Sequence, residues 1–366
     1  MAHRCALAMV AIAVLSAPPA ESSESILVRH PAISRDRIAF CYAGDLWSTG
    51  RDGGDAVRLT AGVGEKCDPY FSPDGKWLAF SGDYYGNLDV FVMPAEGGEP
   101  RRLTHHPAPE FVAGWTPDGK RILLVSTRTS STDPPKLFTV PIDGGFPQEL
   151  PLPMASDGAF SPDGSRIAYA PKFLWQPAWK RYRGGQTMAI WIATLADSSI
   201  EKIPRDNSND FNPVWIGRKV YFLSDRDGPV ALYAYDTDSK AVSKVVANDG
   251  VDFKSASGTA DAIAYEQFGS LFVLDLASSR SKKIDVHVSS QLAELQPHFG
   301  KLEAKRILNA NISPSGARAV FEVHGEIVTV PAEKGDIRNL TNSPAVADRD
   351  PAWSPDGTRI AWFSDE

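Results

Sequence analysis

Apolar residues in this chain come in short runs separated by turn residues, and one compound pattern keeps returning. Its clearest copy is Phe71-Ser72-Pro73-Asp74-Gly75-Lys76-Trp77-Leu78-Ala79-Phe80. Pro73 presets φ at the first corner of a type I turn, Asp74 suits the second corner and Gly75 the exit, so the chain reverses before Leu78-Ala79-Phe80 runs on as a buried strand. The turn returns at Thr116-Pro117-Asp118-Gly119, Ser161-Pro162-Asp163-Gly164, Ser313-Pro314-Ser315-Gly316 and Ser354-Pro355-Asp356-Gly357. The first apolar residue of the strand after each turn gives the markers Ile38, Leu78, Ile122, Ile167, Val220, Ile263, Ala319 and Ile360, spaced 40, 44, 45, 53, 43, 56 and 41 residues apart. Such a period, with four strands' worth of sequence in each repeat, predicts propeller blades.

Each repeat supplies its remaining strands. A second apolar run follows the marker strand, as in Leu88 to Met93 and Ile190-Trp191-Ile192, and several runs end on Asp52-Gly53-Gly54, Glu96-Gly97-Gly98 or Asp143-Gly144-Gly145, whose glycines suit a short hairpin. Val57-Arg58-Leu59-Thr60, Arg102-Leu103-Thr104 and Asn339-Leu340-Thr341 read as short outer strands whose polar residues protect an edge.

The two long gaps differ in kind. The first holds an insertion, Pro171 to Gly185, between two strands of the fourth repeat; the second holds Val286 to Glu303, polar and without a blade pattern. The expected organisation is therefore all-β, a six-bladed β-propeller over residues 26–285, a linker over 286–304, and the first blades of a second, truncated propeller over 305–366. An eighth repeat that stops after one strand would leave an open edge, so the chain is expected to be a piece of a longer protein.

Residues 1–22 carry His3 and Arg4, an apolar run from Cys5 to Leu15 and then small residues, the order of an export signal, which predicts a periplasmic or secreted protein. No later apolar stretch approaches the roughly 20 residues of a membrane span. The net charge of −7 gives no basic excess for a nucleic acid. Cys41 and Cys67 read as small buried hydrophobes, with a disulfide as the alternative in an oxidising compartment.

Candidate chemistry is sparse. No G-x-S-x-G elbow occurs, so a propeller joined to an α/β-hydrolase would lack its catalytic half here. Ser72, Ser161, Ser313 and Ser354 open turns, and His105-His106 sits without a Cys or carboxylate at ligand spacing. Asp225-Arg226-Asp227-Gly228 and Asp236-Thr237-Asp238 lack the regular oxygens of a calcium loop and read as hairpin turns. No catalytic residue, metal or cofactor is expected in these residues. The insertion is the functional candidate: Trp175, Trp179, Lys180, Arg181, Tyr182 and Arg183 could stack on and pair with a peptide or protein partner, or could clamp a blade edge.

His30-Pro31-Ala32-Ile33-Ser34, Ile38-Ala39-Phe40 and Gly44-Asp45-Leu46-Trp47 are similar to the opening blade of tricorn-type proteases. Trp179-Lys180-Arg181-Tyr182-Arg183-Gly184-Gly185 followed by Ile190-Trp191-Ile192 resembles that family's W-K-x-Y-R-G-G stretch before an I-W-I strand. The resemblance covers nearly all of the chain after the export signal. It implies a following seven-bladed propeller, a PDZ-like module and a serine peptidase core that trims peptides, all beyond Glu366. The family's founding type anchors the substrate carboxylate on an Arg-Arg pair in a propeller loop. Between Thr104 and Trp115 this sequence has His105-His106 instead, and Arg101-Arg102 falls on an outer strand, so that role is not carried over.

The expected function is the non-catalytic N-terminal propeller region of an exported tricorn-like serine peptidase, with peptides or a protein as partner and homo-oligomerisation left open. The alternative is an interaction propeller resembling periplasmic TolB. A propeller attached to an amidohydrolase-like domain is a third, weaker option.

Overall fold

The computed structural model describes residues 26–129, 134–173, 180–248, 250–288, 292, 307–343 and 346–366. Residues 1–22, read as an export signal, lie outside them. None of the described residues is helical, and none forms a helix long and apolar enough to cross a membrane. The chain divides into two compact units, Met1–Gln291 and Leu292–Glu366.

Among the described residues the first unit holds six antiparallel sheets over residues 29–58, 66–102, 110–149, 157–202, 210–246 and 253–284, each a meander of four strands taken in chain order. The second unit holds one such sheet over residues 307–339 and a two-stranded sheet over 349–363. The chain is thus an all-β propeller protein.

The second strand of each sheet in the first unit is buried on both faces, which is why it reads as an apolar run without alternation. The markers Ile38, Leu78, Ile122, Ile167, Val220 and Ile263 all have 0% exposure. Cys41 and Cys67 are free thiols packed in one apolar cluster with Leu78 and Phe80, and burial pushes both thiols up. They behave as small hydrophobes.

Adjacent sheets are joined by a recurring backbone bond. The N–H of a residue at or near the start of each innermost strand donates to the carbonyl just before the third strand of the preceding sheet. The pairs are Lys66 to Gly44 (3.0 Å), Glu110 to Leu88 (2.9 Å), Ala155 to Pro135 (2.8 Å), Asp210 to Met188 (3.1 Å) and Phe253 to Val230 (3.2 Å). Val28 donates to Gly269 of the sixth sheet in the same way, at 2.9 Å, so the first sheet stands to the sixth as every other sheet does to its predecessor. Within the second unit Asp348 repeats the bond to Gly325 at 2.8 Å.

The turn chemistry matches the repeated motif. Gly75 has φ 72° and donates to the Ser72 carbonyl, while Ser72 Oγ donates to Asp74 Oδ1 (2.6 Å) and accepts the Trp77 N–H. The residue two past the outer strand carries a second device. Thr60 Oγ1 donates to the buried Asp45 and accepts the Leu46 N–H, and Thr104 and Thr341 accept the Val90 and Ile327 N–H groups alike. The segment leaving the outer strand therefore caps the third strand.

The residues read as a linker begin inside the first unit. Val286–His287 form a strand that pairs in parallel with Gly53–Arg58, the outer strand of the first sheet. Gly53, at φ 96°, has no room for a side chain: a Cβ there would lie 2.4 Å from the Asp285 carbonyl oxygen.

Two measurements check these devices. Hydroxyl bonds from Ser161 and Ser354 and neighbouring N–H groups hold the Asp163 and Asp356 carboxyls down to about 2, below the roughly 3.9 of an unfolded chain. Their contribution is present above about pH 4 and is lost as pH falls through about 2. Asp163→Asn should flatten the acid limb of urea-unfolding stability between those values; an unchanged limb contradicts the role. Thr104→Val leaves the buried Val90 N–H without an acceptor and should cost about 1–3 kcal/mol in the same assay.

Candidate functional site

The innermost strands of the six sheets face one another around a cavity of about 350 Å³, lined by residues from all six strands. Five of these strands carry a β-bulge where the register slips: between Arg29 and Ala32, Cys67 and Tyr70, Val112 and Gly114, Phe211 and Val214, and Phe253 and Ala256. At three of them a residue in the left-handed region precedes a proline: His30 (φ 49°) before Pro31, Asp68 (φ 49°) before Pro69 and Asn212 (φ 54°) before Pro213. His, Asp and Asn tolerate that conformation, and a proline at the slip has no N–H to leave unpaired.

The bulges aim these side chains at neighbouring sheets. His30 Nδ1 meets Asp68 Oδ1 at 2.9 Å, joining the first sheet to the second. Asn212 Nδ2 donates to the Ala256 carbonyl (2.9 Å) and Oδ1 accepts the Ala256 N–H (2.6 Å), joining the fifth to the sixth. Glu266 of the sixth sheet accepts the His30 N–H (3.1 Å) and the Ser255 hydroxyl (2.9 Å). The second unit repeats the scheme by itself, with Asn309 donating to Asp350 at 2.6 Å.

The cavity's charges follow from these contacts. The hydrogen bond to Asp68 raises the His30 imidazole above its usual value, and the Asp68 and Glu266 charges add to it, against burial and Arg29. Asp157, which opens the innermost strand of the fourth sheet, is pushed up to about 7 by burial, and Asp68 adds to the rise. Burial also lifts Tyr70 well above its usual range.

The insertion runs from the second to the third strand of the fourth sheet, as its sequence position implies. Arg183 donates to Asp225 Oδ2 (2.8 Å) and to the Asp225 carbonyl (3.0 Å), both in the fifth sheet's turn. Asn209 donates to the same Oδ2 and to the Tyr182 carbonyl, and Lys180 pairs with Asp252 at 3.4 Å. Arg181, exposed at φ 52°, has no ion pair among the described residues. Trp175 and Trp179 lie outside the described residues. Lys180 and Arg183 thus tie the insertion to the fifth sheet and its exit loop.

The remaining motifs sit where the turn readings put them. Arg101 and Arg102 form an outer strand, Arg102 pairing with Asp89 at 2.7 Å. His106 Nδ1 accepts the Ala108 N–H in the following loop. Asp225 to Gly228 form a turn closed by Gly228 N–H on the Asp225 carbonyl, and Asp236 accepts the Asp238 and Ser239 N–H groups. Among the described residues no group of three or more His, Cys, Asp or Glu could hold a metal ion.

The family described as the tricorn protease N-terminal β-propeller domain matches residues 25–280. The chain belongs to that family. Tricorn protease homolog 1 of Streptomyces coelicolor is 29% identical over 344 residues, which is 92% of this chain and 32% of that protein. Tricorn protease of Thermoplasma acidophilum is 27% identical over 270 residues, 71% of this chain and 25% of its own length. The crystal structure of the tricorn protease superposes with a TM-score of 0.66 at 20% identity, covering 92% of this chain and 41% of that one, which shows the shared fold. The chain spans about a third or less of the length of these two relatives.

In this tricorn-family propeller the lumen residues escaped sequence reading, although a signal exists. His30-Pro31, Asp68-Pro69, Asn212-Pro213 and Asp350-Pro351 each stand a few residues before the second strand, and each marks a bulge. Two outcomes follow. The raised His30 contributes stability that is full below about pH 6.5 and lost as pH rises through its folded value. His30→Gln should remove that part of the decline in melting temperature between about pH 5.5 and 8.5. Arg183→Ala deprives the buried Asp225 of two bonds and should cost about 1–3 kcal/mol in chemical unfolding, with no loss if the insertion is unattached.

Proposed function

We propose that this chain is the non-catalytic N-terminal propeller region of an exported, tricorn-like serine peptidase, with the catalytic core outside these residues. The observation that carries the reading is the family match over residues 25–280, in a chain covering only 32% of the homolog from Streptomyces coelicolor. In this reading the six sheets of the first unit are the blades of a six-bladed propeller over residues 26–285. The second unit begins another propeller, and residues 1–22 are an export signal. The propeller guides peptides to a distant active site or holds the assembly around it.

The lumen supports a guiding role, because its wall mixes exposed aromatic carbon with a few polar groups. The insertion supports a holding role. Arg181, with Trp175 and Trp179, offers the contact to a peptide or partner, while Lys180 and Arg183 pair with Asp252 and Asp225.

The test is to follow the gene past codon Glu366 and assay the full-length product on short peptides. A downstream serine whose substitution by Ala abolishes trimming is the expected result. A reading frame that ends after a few more blades overturns it and makes the protein an interaction propeller.

A further inference from the structure

His30 and Asp68, Asn212, and Ser257 bond across the lumen wall to a neighbouring sheet. The fourth sheet is built differently. Its innermost strand, Asp157–Phe160, has no bulge, and Asp157 turns no bond toward the third or fifth sheet. Asp157 Oδ1 accepts the N–H of its own neighbour, Gly158, at 2.7 Å, and among the described residues the carboxylate has no cationic partner.

The cavity it lines carries apolar carbon from Phe111 and Val125 of the third sheet, Phe173 within and Met188 just past the fourth sheet's insertion, and Phe211 of the fifth. The other titratable groups lining the cavity are Asp68 and Tyr70 from the second sheet, His30 from the first and Lys254 from the sixth. His30 is already committed to Asp68.

A buried carboxylate without a charged partner is costly in its ionised form unless a cation joins it. A divalent ion is held by several protein carboxylates or carbonyls, and no group of three or more His, Cys, Asp or Glu among the described residues could hold one. An ammonium group on an apolar body fits instead, pairing with one carboxylate while its carbon lies against the aromatic rings.

The geometry points to Asp157 as the anchor for a primary ammonium carried on an apolar body, the α-amino end of a peptide or a lysine side chain. The choice of a peptide as the source rests on the peptide-guiding reading above, whereas the binding itself does not. Binding needs the ionised carboxylate, so affinity should rise as pH passes through about 7.

The test uses the whole chain in titration calorimetry with phenylpropylamine and its uncharged counterpart phenylpropanol. At about pH 8 the amine should bind at least tenfold tighter than the alcohol, and at about pH 5.5 the advantage should shrink at least tenfold. Asp157→Asn should abolish the preference for the amine. The pH series on the unsubstituted chain keeps the proposal open to refutation if that variant fails to fold, because an amine advantage that does not shrink at about pH 5.5 overturns it.

Equal binding of amine and alcohol, or a preference that survives Asp157→Asn, overturns the assignment. Leucyl-phenylalanine amide and N-acetyl-lysine methylamide then separate the two sources, each against its fully acetylated form. A preference for the free amine in either pair supports the site, and none in both overturns it. Each result holds whether or not the full-length protein trims peptides, so the two readings fail separately.

Discussion

One backbone hydrogen bond, repeated from sheet to sheet, sets how the first unit is assembled. At or near the start of each innermost strand a main-chain N–H reaches the carbonyl ahead of the third strand of the sheet before it, and Val28 to Gly269 extends the series to the first and sixth sheets. Every residue except proline carries that donor, so the spacing of the sheets does not depend on which side chain occupies the position. Lys66, Glu110, Ala155, Asp210 and Phe253 all fill it. The lumen wall is consequently free to vary.

That freedom explains what could be read in advance. The turn Ser72-Pro73-Asp74-Gly75 and the run Leu78-Ala79-Phe80 were legible because turn dihedrals and two-sided burial restrict residue type. The insertion was legible as an interruption of the period, but its use of Arg183 to hold Asp225 was not, since the partner lies 42 residues away. Asp157 shows the limit most clearly. In sequence it is one more acidic residue, and only the convergence of six strands gives it an apolar setting.

Charge is buried elsewhere in the unit on a different plan. Asp45, Asp89, Glu110 and Asp210 are at most 2% exposed, and each pairs with an arginine of its own sheet: Arg58, Arg102, Arg128 and Arg226. Removing either partner would strand a charge, so these pairs hold the ends of strands in place. The lumen carboxylate of the fourth sheet, without such a partner, stands apart from that structural set.

The short parallel strand at Val286–His287 has a bearing on how the protein could be divided. It brings the beginning and the end of the first unit onto a single sheet, with Gly53 bare so that Asp285 can approach. A cut made at residue 285, where the repeat pattern stops, would strip Gly54 and Asp55 of their strand partners and open a raw edge beside the seam between first and sixth sheets. A cut after residue 288 leaves the edge covered. The piece that can be transplanted, permuted or grown separately is therefore set by a two-residue strand rather than by the repeats themselves.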